Sequence, residues 1–332
     1  MTETDTGAFD ILIVAQSGRL TYEAVLFAAS LRHHAPDFAG KLYIAEPRPG
    51  PLWPKDTMID DEAARDLLTA LGVTFLPFDN RHFGASYPHG NKIEALAALP
   101  AGRPFVFFDT DTLITGPIDR VPFDFDRPSA SMEREATWPE PPLYGPGYDG
   151  IWRALYKRFD IDIEPTLDLD EPFDHWQRYL YFNAGWFFYK CPQVFARAML
   201  RIMTTVRDDP IPELASQTLY PWLDQIALPL VVAELGGGRP GPELAGLDGA
   251  VTRHYRTMPL FFACASDETL EKLMEVARPN KVKKVLKAYE PFKRIIFQNK
   301  GSRIRAMFDQ SDLPRPEKKI RNRIKREGLW MR

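Results

Sequence analysis

The stretch Phe105-Val106-Phe107-Phe108-Asp109-Thr110-Asp111-Thr112 decides how this chain is read. Four bulky apolar residues after Pro104 fit a strand covered on both faces, because such strands read as continuous apolar runs. Two carboxylates one residue apart then close it. In open α/β sheets, ligands bind outside the carboxyl ends of the strands, which puts Asp109 and Asp111 where chemistry is expected. If the strand runs on extended, the two side chains point to the same side. Hard cations such as Mg²⁺ or Mn²⁺ take oxygen ligands of this kind, usually a carboxylate or two with the rest from substrate phosphates. These residues point to a metal and a phosphorylated ligand, although Asp is also common in loops that leave strands.

The chain has 332 residues, 45% hydrophobic and 12% aromatic, enough for a large core. One α/β domain with an appendage is the simplest expectation. No apolar run reaches the roughly 18 to 20 residues of a membrane span; the longest, Ile226 to Leu235, is broken by Pro229. The start, Met-Thr-Glu-Thr-Asp-Thr, has no basic region, and Ile11 to Ala15 is too short for a signal-peptide core, so a cytoplasmic protein is expected. Cys191 and Cys264 lie far apart without metal-ligand spacing and read as buried, inert thiols.

Charge is unevenly spread. Residues 278–332 carry 18 Lys plus Arg against 5 Asp plus Glu, a net +13, which leaves −16 for residues 1–277 of a chain whose total is −3. Val282, Val285, Leu286, Phe292, Ile295, Ile296, Phe297, Ile304, Met307 and Phe308 recur among these cations, and Leu329-Trp330-Met331 follows. Such helices can lie on an anionic membrane surface, with the protein peripheral at its inner face. They can equally pack on the domain and solvate their cationic side. If the membrane reading holds, deleting Arg278–Arg332 abolishes vesicle binding without unfolding the domain. No nucleic-acid module is present in the sequence, so no nucleic-acid partner is expected.

Along the first half, apolar and turn patterns predict strands at Asp10 to Ala15, Lys41 to Ala45 and Val73 to Pro77. They predict helices at Thr21 to His33, about Asp60 to Leu71, and Asn91 to Leu99. Alternation at this spacing means βαβ units and a mostly parallel central sheet flanked by helices.

Three later stretches join the acidic pair. Asn183 and Gly185 precede the aromatic run Trp186 to Tyr189, where a small backbone lets a sugar ring approach and an amide serves its hydroxyls. Asp224 and Gln225 head an apolar helix. Arg253-His254-Tyr255-Arg256 offers an imidazole for a metal site and arginines for a diphosphate. Each has an ordinary alternative: Asn183 as a turn residue, Asp224 as an N-cap, His254 as a hydrogen-bonded core histidine.

Taken in order, Asn91-Lys92, Phe-Phe-Asp109-Thr-Asp111, Phe-Asn183-Ala-Gly185 and Asp224-Gln225 resemble the GT-A fold nucleotide-diphospho-sugar glycosyltransferases. The nearest flavour is the group of glycogenin and the bacterial lipopolysaccharide galactosyltransferases. The resemblance covers roughly residues 9–260 and implies a catalytic domain at 9–262, with an acceptor-side insertion at 131–180 and a basic, mainly helical extension at 263–332. It implies Mn²⁺ or Mg²⁺ on Asp109, Asp111 and His254, with Asp109 also contacting ribose. It places Lys92 near the donor, Asn183 and Gly185 at the donor sugar, and Asp224 with Gln225 on hydroxyls near the reacting carbon. The loop of Gln16, Ser17 and Arg19 then faces the nucleotide. The donor is a nucleotide-diphospho-sugar, a UDP-sugar foremost, and the acceptor a glycan or lipid-linked sugar.

The chain departs from that pattern after His254. The family follows its His with Gly and then Lys-Pro, whereas here Tyr255-Arg256-Thr257-Met258-Pro259 follows, with Arg256 standing in for the phosphate-binding Lys. The stretch Met132 to Glu171, where the acceptor pocket is expected, aligns with no motif. Breaking the anomeric C–O bond generates oxocarbenium-like charge, and a Lewis-acid metal with Arg253 or Arg256 takes up charge on the departing diphosphate. Asp224 is the base if configuration inverts; if it is retained, Asp224 and Gln225 only position the sugar. Two other readings use the same residues: a haloacid-dehalogenase-type phosphatase with Asp109 as nucleophile, and a non-catalytic sugar-nucleotide or membrane-surface binding protein.

Overall fold

The computed structural model describes residues 8–134 and 137–331. The N-terminal run read above for a leader lies outside the described residues. In chain order the structure builds β1 (Asp10–Val14), α1 (Arg19–His34), β2 (Leu42–Pro47), α2 (Glu62–Ala70), β3 (Val73–Phe78), α3 (Asn91–Glu94) and β4 (Phe105–Phe108). Then come β5 (Thr112–Ile114), α4 (Tyr148–Arg158), β6 (Trp186–Tyr189), α5 (Pro192–Asp208), α6 (Leu223–Glu234) and β7 (Thr252–His254). Six helices follow: α7 (Met258–Cys264), α8 (Asp267–Ala277), α9 (Asn280–Leu286), α10 (Glu290–Ile296), α11 (Lys300–Arg305) and α12 (Glu317–Arg326).

The main sheet runs β3-β2-β1-β4-β6, parallel throughout except for β6, which pairs antiparallel with β4. This is the α/β class expected from the alternation of strands and helices. Both faces are covered, so alternate residues of one strand enter two different cores. Val106 and Phe108 pack with α1, α2 and the C-terminal helices; Phe105 and Phe107 pack with α5 and α6. Each such buried side chain contributes about 1.5–3 kcal/mol of apolar burial.

Two expectations shift in detail. The helix expected at Asn91 to Leu99 is α-helical only to Glu94 and tightens to a 3₁₀ turn over Ala95–Ala98. Leu99 then turns extended, as a residue before proline does. The acidic pair also does not sit on a continuing strand. β4 ends at Phe108, and Asp109 to Asp111 form the crossover to a second, two-stranded sheet of β5 and β7.

The apolar positions of the C-terminal helices pack on the domain, as the second of the two readings has it. Val282, Val285, Leu286, Phe292, Ile295, Ile296, Ile304 and Phe308 are buried in the same core as α1. α8 and α9 lie against α1, and Tyr289 stacks on Tyr22 with ring centroids 5.0 Å apart. The apolar face that would enter lipid is thus occupied by protein, and deleting residues 278–332 would strip the cover from α1. Among the described residues, no helix is long and apolar enough to cross a membrane. Cys191 and Cys264 are half-buried, not fully buried.

Candidate active site

The site forms where β4 hands the chain from one sheet to the other. The Asp109 amide donates to the Gly185 carbonyl at 2.8 Å, and the Tyr255 amide donates to the Asp111 carbonyl at 2.9 Å. In the small sheet, Thr112 stands opposite His254, so strand pairing carries the imidazole to the carboxylates across 143 positions of sequence. His254 Nε2 lies 3.1 Å from Asp111 Oδ1 and 3.9 Å from Asp109 Oδ2. One ligand atom from each of Asp109, Asp111 and His254 falls within a common 4.8 Å. The turn geometry, not an extended strand, brings the two carboxylates together.

Gly185 lines the back of this cluster. A Cβ there would come within 2.7 Å of His254 Nδ1 and 2.8 Å of Asn183 Oδ1. Neighbouring Ala184 already adopts φ of 58°, a conformation that costs a non-glycine residue strain and gathers at functional sites. Asn183 accepts the Gly185 amide at 2.6 Å and donates to the Glu133 carbonyl, so its side chain shapes the loop as well as facing the cavity.

Lys92 reaches in from α3. Its ammonium is 3.0 Å from Asp109 Oδ1 and 3.3 Å from Asp224 Oδ2, and it donates to the Ala184 carbonyl at 3.3 Å. Burial alone would lower its pKa, but the two carboxylates outweigh that and raise it. Burial opposes ionisation of Asp111, yet the imidazole of His254 and the guanidinium of Arg19 hold its pKa below the ordinary carboxylate value. Asp109 goes the other way, because its burial exceeds the help from Lys92 and His254. The carboxylates raise His254 in turn, against its burial. The electrostatics suit a cation between the carboxylates.

Asp224 and Gln225 open α6. Asp224 is no N-cap: Trp222 holds that position, and the Asp224 carboxylate instead meets Lys92 and the Tyr87 hydroxyl at 2.6 Å. Gln225 Oε1 accepts from the Tyr181 hydroxyl at 2.7 Å. A cavity of about 220 Å³ is lined by Lys92, Asp109, Asn183, Asp224, Gln225 and His254, with His89, Arg134, Trp222 and Arg256 at its margin.

The loop after β1 contributes unevenly. Arg19 pairs with Glu23 at 2.7 Å and stands 3.9 Å from Asp111. Ser17 instead donates its amide to the Thr57 carbonyl at 2.7 Å, and the Gln16 carbonyl accepts from the Thr21 hydroxyl at 2.9 Å. Neither of these two residues lines the cavity. Arg256, at φ of 58°, pairs with Glu317 of α12 at 2.7 Å, so the phosphate-binding candidate is tied to the C-terminal extension. Beside it a second cavity of about 440 Å³ opens, walled by Arg253, Arg256, Leu260, Phe261 and residues 313–317.

Residues 11–236, more than half of the chain, match the family described as the Rhodobacterales glycosyltransferase domain. The chain belongs to that family. It is therefore a glycosyltransferase, and the phosphatase reading of the Asp-Thr-Asp run is set aside. No curated protein sequence matches the chain. Among solved structures, it is similar to the bifunctional glycosyltransferase WbbM at 14% identity and a TM-score of 0.46, covering 84% of this chain and 52% of that one. It thus spans about half of WbbM. It is similar to the galactosyltransferase LgtC, solved with donor and acceptor sugar analogs, at 14% identity and a TM-score of 0.49, over 83% and 99% of the two chains. GlyE of Streptococcus pneumoniae TIGR4 resembles it at 11% identity and a TM-score of 0.38, over 70% and 45%.

The sequence did not single out Tyr87, Tyr181 and Arg134, which contact Asp224 or Gln225 or line the cavity. Tyr87 follows Ser86 in a run without periodicity, and Arg134 lies in the motif-free stretch after Met132. Nothing local marks either residue; only the fold brings them to Asp224 and to the cavity.

Proposed function

We propose that the chain transfers a sugar from a nucleotide-diphospho-sugar, a UDP-sugar foremost, to a glycan or lipid-linked acceptor, with Mn²⁺ or Mg²⁺ held by Asp109, Asp111 and His254. The observation that carries this reading is the convergence of those three ligand atoms within 4.8 Å, next to a cavity lined by Asn183, Asp224 and Gln225. Two carboxylates and an imidazole form a donor set that suits such a cation, and the missing Cβ at Gly185 leaves room behind the imidazole. Bound there, the ion supplies Lewis acidity to the diphosphate leaving group.

The chain's own side chains account for the rest. Arg256 and Arg253 stand beside the cluster to receive phosphate oxygens, and Arg19 adds charge from the start of α1. Lys92 remains an ammonium and locks Asp109 to Asp224. Both oxygens of Asp224 already face donors, Tyr87 on one and Lys92 on the other. We therefore assign Asp224 to orienting the sugar, with Gln225 fixed by Tyr181 to read a neighbouring hydroxyl. The acceptor approaches from the segment 131–180. Any hold on an anionic membrane surface comes from the cationic side of residues 278–332 alone, and added salt would release it.

The test is titration calorimetry of UDP-, GDP- and CMP-sugars with and without Mn²⁺, on the native chain and on Asp111→Ala. Metal-dependent binding of one nucleotide class, weakened more than ~100-fold in the variant, is expected. Binding that ignores both Mn²⁺ and the substitution would remove the metal from the proposal. No binding to any of them would refute the nucleotide-diphospho-sugar donor.

A further inference from the structure

Three Lys or Arg side chains line the 220 Å³ cavity, and two of them face carboxylates of the protein itself. Lys92 meets Asp109 and Asp224, and Arg256 meets Glu317. Arg134 differs. It is half-buried, it lines both the smaller cavity and the adjoining 440 Å³ one, and among the described residues no carboxylate lies within ion-pair distance of it. Its hydrogen bond is a long one, 3.5 Å to the Thr137 hydroxyl. Its guanidinium is instead laid over two rings, 4.3 Å from the Trp176 centroid and 5.2 Å from that of Tyr181.

Such an arrangement is costly unless something completes it. Removing a charge from water without a counter-charge is unfavourable, and burial together with nearby Arg239 pulls the Arg134 pKa down to about 10. Stacking on Trp176 and Tyr181 returns part of that and holds the planar fork in one orientation. A stacked guanidinium with its edge turned to an open cavity is preorganised for two parallel hydrogen bonds to a phosphate or carboxylate.

Position indicates which substrate carries that anion. Arg134, Trp176 and Tyr181 lie in or next to the segment 131–180, and Arg134 shares the smaller cavity with Asp109 and His254. Through Tyr181, whose hydroxyl holds Gln225, the arginine abuts the sugar-reading side of the cavity. In the proposed donor site the diphosphate meets the ion on Asp109, Asp111 and His254, with Arg253 and Arg256 turning to it from Glu133 and Glu317. We infer that Arg134 is an acceptor-recognition residue and that the acceptor bears an anionic group, a phosphate or a carboxylate, near the hydroxyl that receives the sugar. This inference rests on the proposed donor site.

The experiment uses the full chain loaded with Mn²⁺ and the nucleotide that calorimetry selects, following tryptophan emission during titration with glucose, glucose 6-phosphate and glucuronate. At least one of the two anions is expected to give a saturable change at about tenfold lower concentration than glucose. Arg134→Leu should abolish that preference. Arg134→Lys, which keeps the charge but loses the stacked fork, should lose most of it, and Trp176→Phe should remove the optical signal. Nucleotide binding in Arg134→Leu should stay within about threefold of the native chain, since uniform binding energy lost elsewhere leaves the donor site intact. Equal responses to glucose and both anions, or a preference that survives Arg134→Leu, would overturn the inference. So would loss of Mn²⁺-dependent nucleotide binding in Arg134→Leu, which would assign the guanidinium to the donor diphosphate. Failure of the donor reading shows separately, as nucleotide binding that Asp111→Ala leaves unchanged.

Discussion

Tyr87 and Asp224 are joined twice: the tyrosine hydroxyl donates to Asp224 Oδ1 at 2.6 Å and accepts the Asp224 amide at 3.0 Å. One hydroxyl thus serves both a site carboxylate and an unsatisfied amide in the first turn of α6. The same oxygen lies 2.9 Å from the Pro221 carbonyl. Burial, followed by the Asp224 charge, raises the Tyr87 pKa far out of the physiological range, so the group stays a hydroxyl. Tyr87→Phe keeps the ring and removes these bonds. It should cost about 1–3 kcal/mol in a urea melt and lower kcat about tenfold with little change in donor KM. A full kcat in a destabilised variant would make Tyr87 purely structural.

Gly185→Ala tests how closely the imidazole must be seated. The new Cβ would meet His254 Nδ1 at 2.7 Å, closer than real contacts allow, so the ring must move. Mn²⁺ affinity, read by electron paramagnetic resonance titration, should fall by about 10–100-fold, as it does when a ligand's support is disturbed. Unchanged affinity would mean that His254 does not bind the ion.

The C-terminal helices should behave as part of the folded core. Ile324 of α12 is fully buried, and Ile320 and Leu329 are nearly so. Ile324→Ala should lower stability by about 2–4 kcal/mol. Removal of residues 278–332 should leave a chain without a cooperative thermal transition, contrary to what an autonomous basic tail would give. A sharp melt of the truncated chain would restore the tail as a separate module.

His34 gives the stability a pH dependence. Burial first, then the neighbouring charges of His33 and Lys272, push its pKa down to about 4, against the pull of Glu275. Its Nε2 is buried without a partner among the described residues. Because the folded pKa lies below the unfolded value, the unfolded chain binds the proton more readily. The contribution is therefore complete above about pH 6.5 and is lost as pH falls toward about 4. For a half-buried ring the loss is on the order of 1 kcal/mol after screening. The difference in melting temperature between the native chain and His34→Gln should change across pH 6.5 to 4; a constant difference would refute the assignment.

Local pattern was enough for the alternating elements, the two-faced β4 strand and the order of the acidic and amide motifs, because strand burial and helix periodicity are written in neighbouring residues. Asp109, Asp111, Asn183, Asp224 and Gln225 were legible for the same reason: each sits beside an apolar element whose end it marks. His254 was legible only as a candidate, since its meeting with Asp111 depends on pairing between β5 and β7. Tyr87, Arg134 and the burial of the basic tail were decided by the tertiary structure. A hydroxyl, a stacked guanidinium and an amphipathic helix look the same in sequence whether they face water, a ligand or a core. Only packing determines which surface each one meets, and packing is set by contacts far apart along the chain.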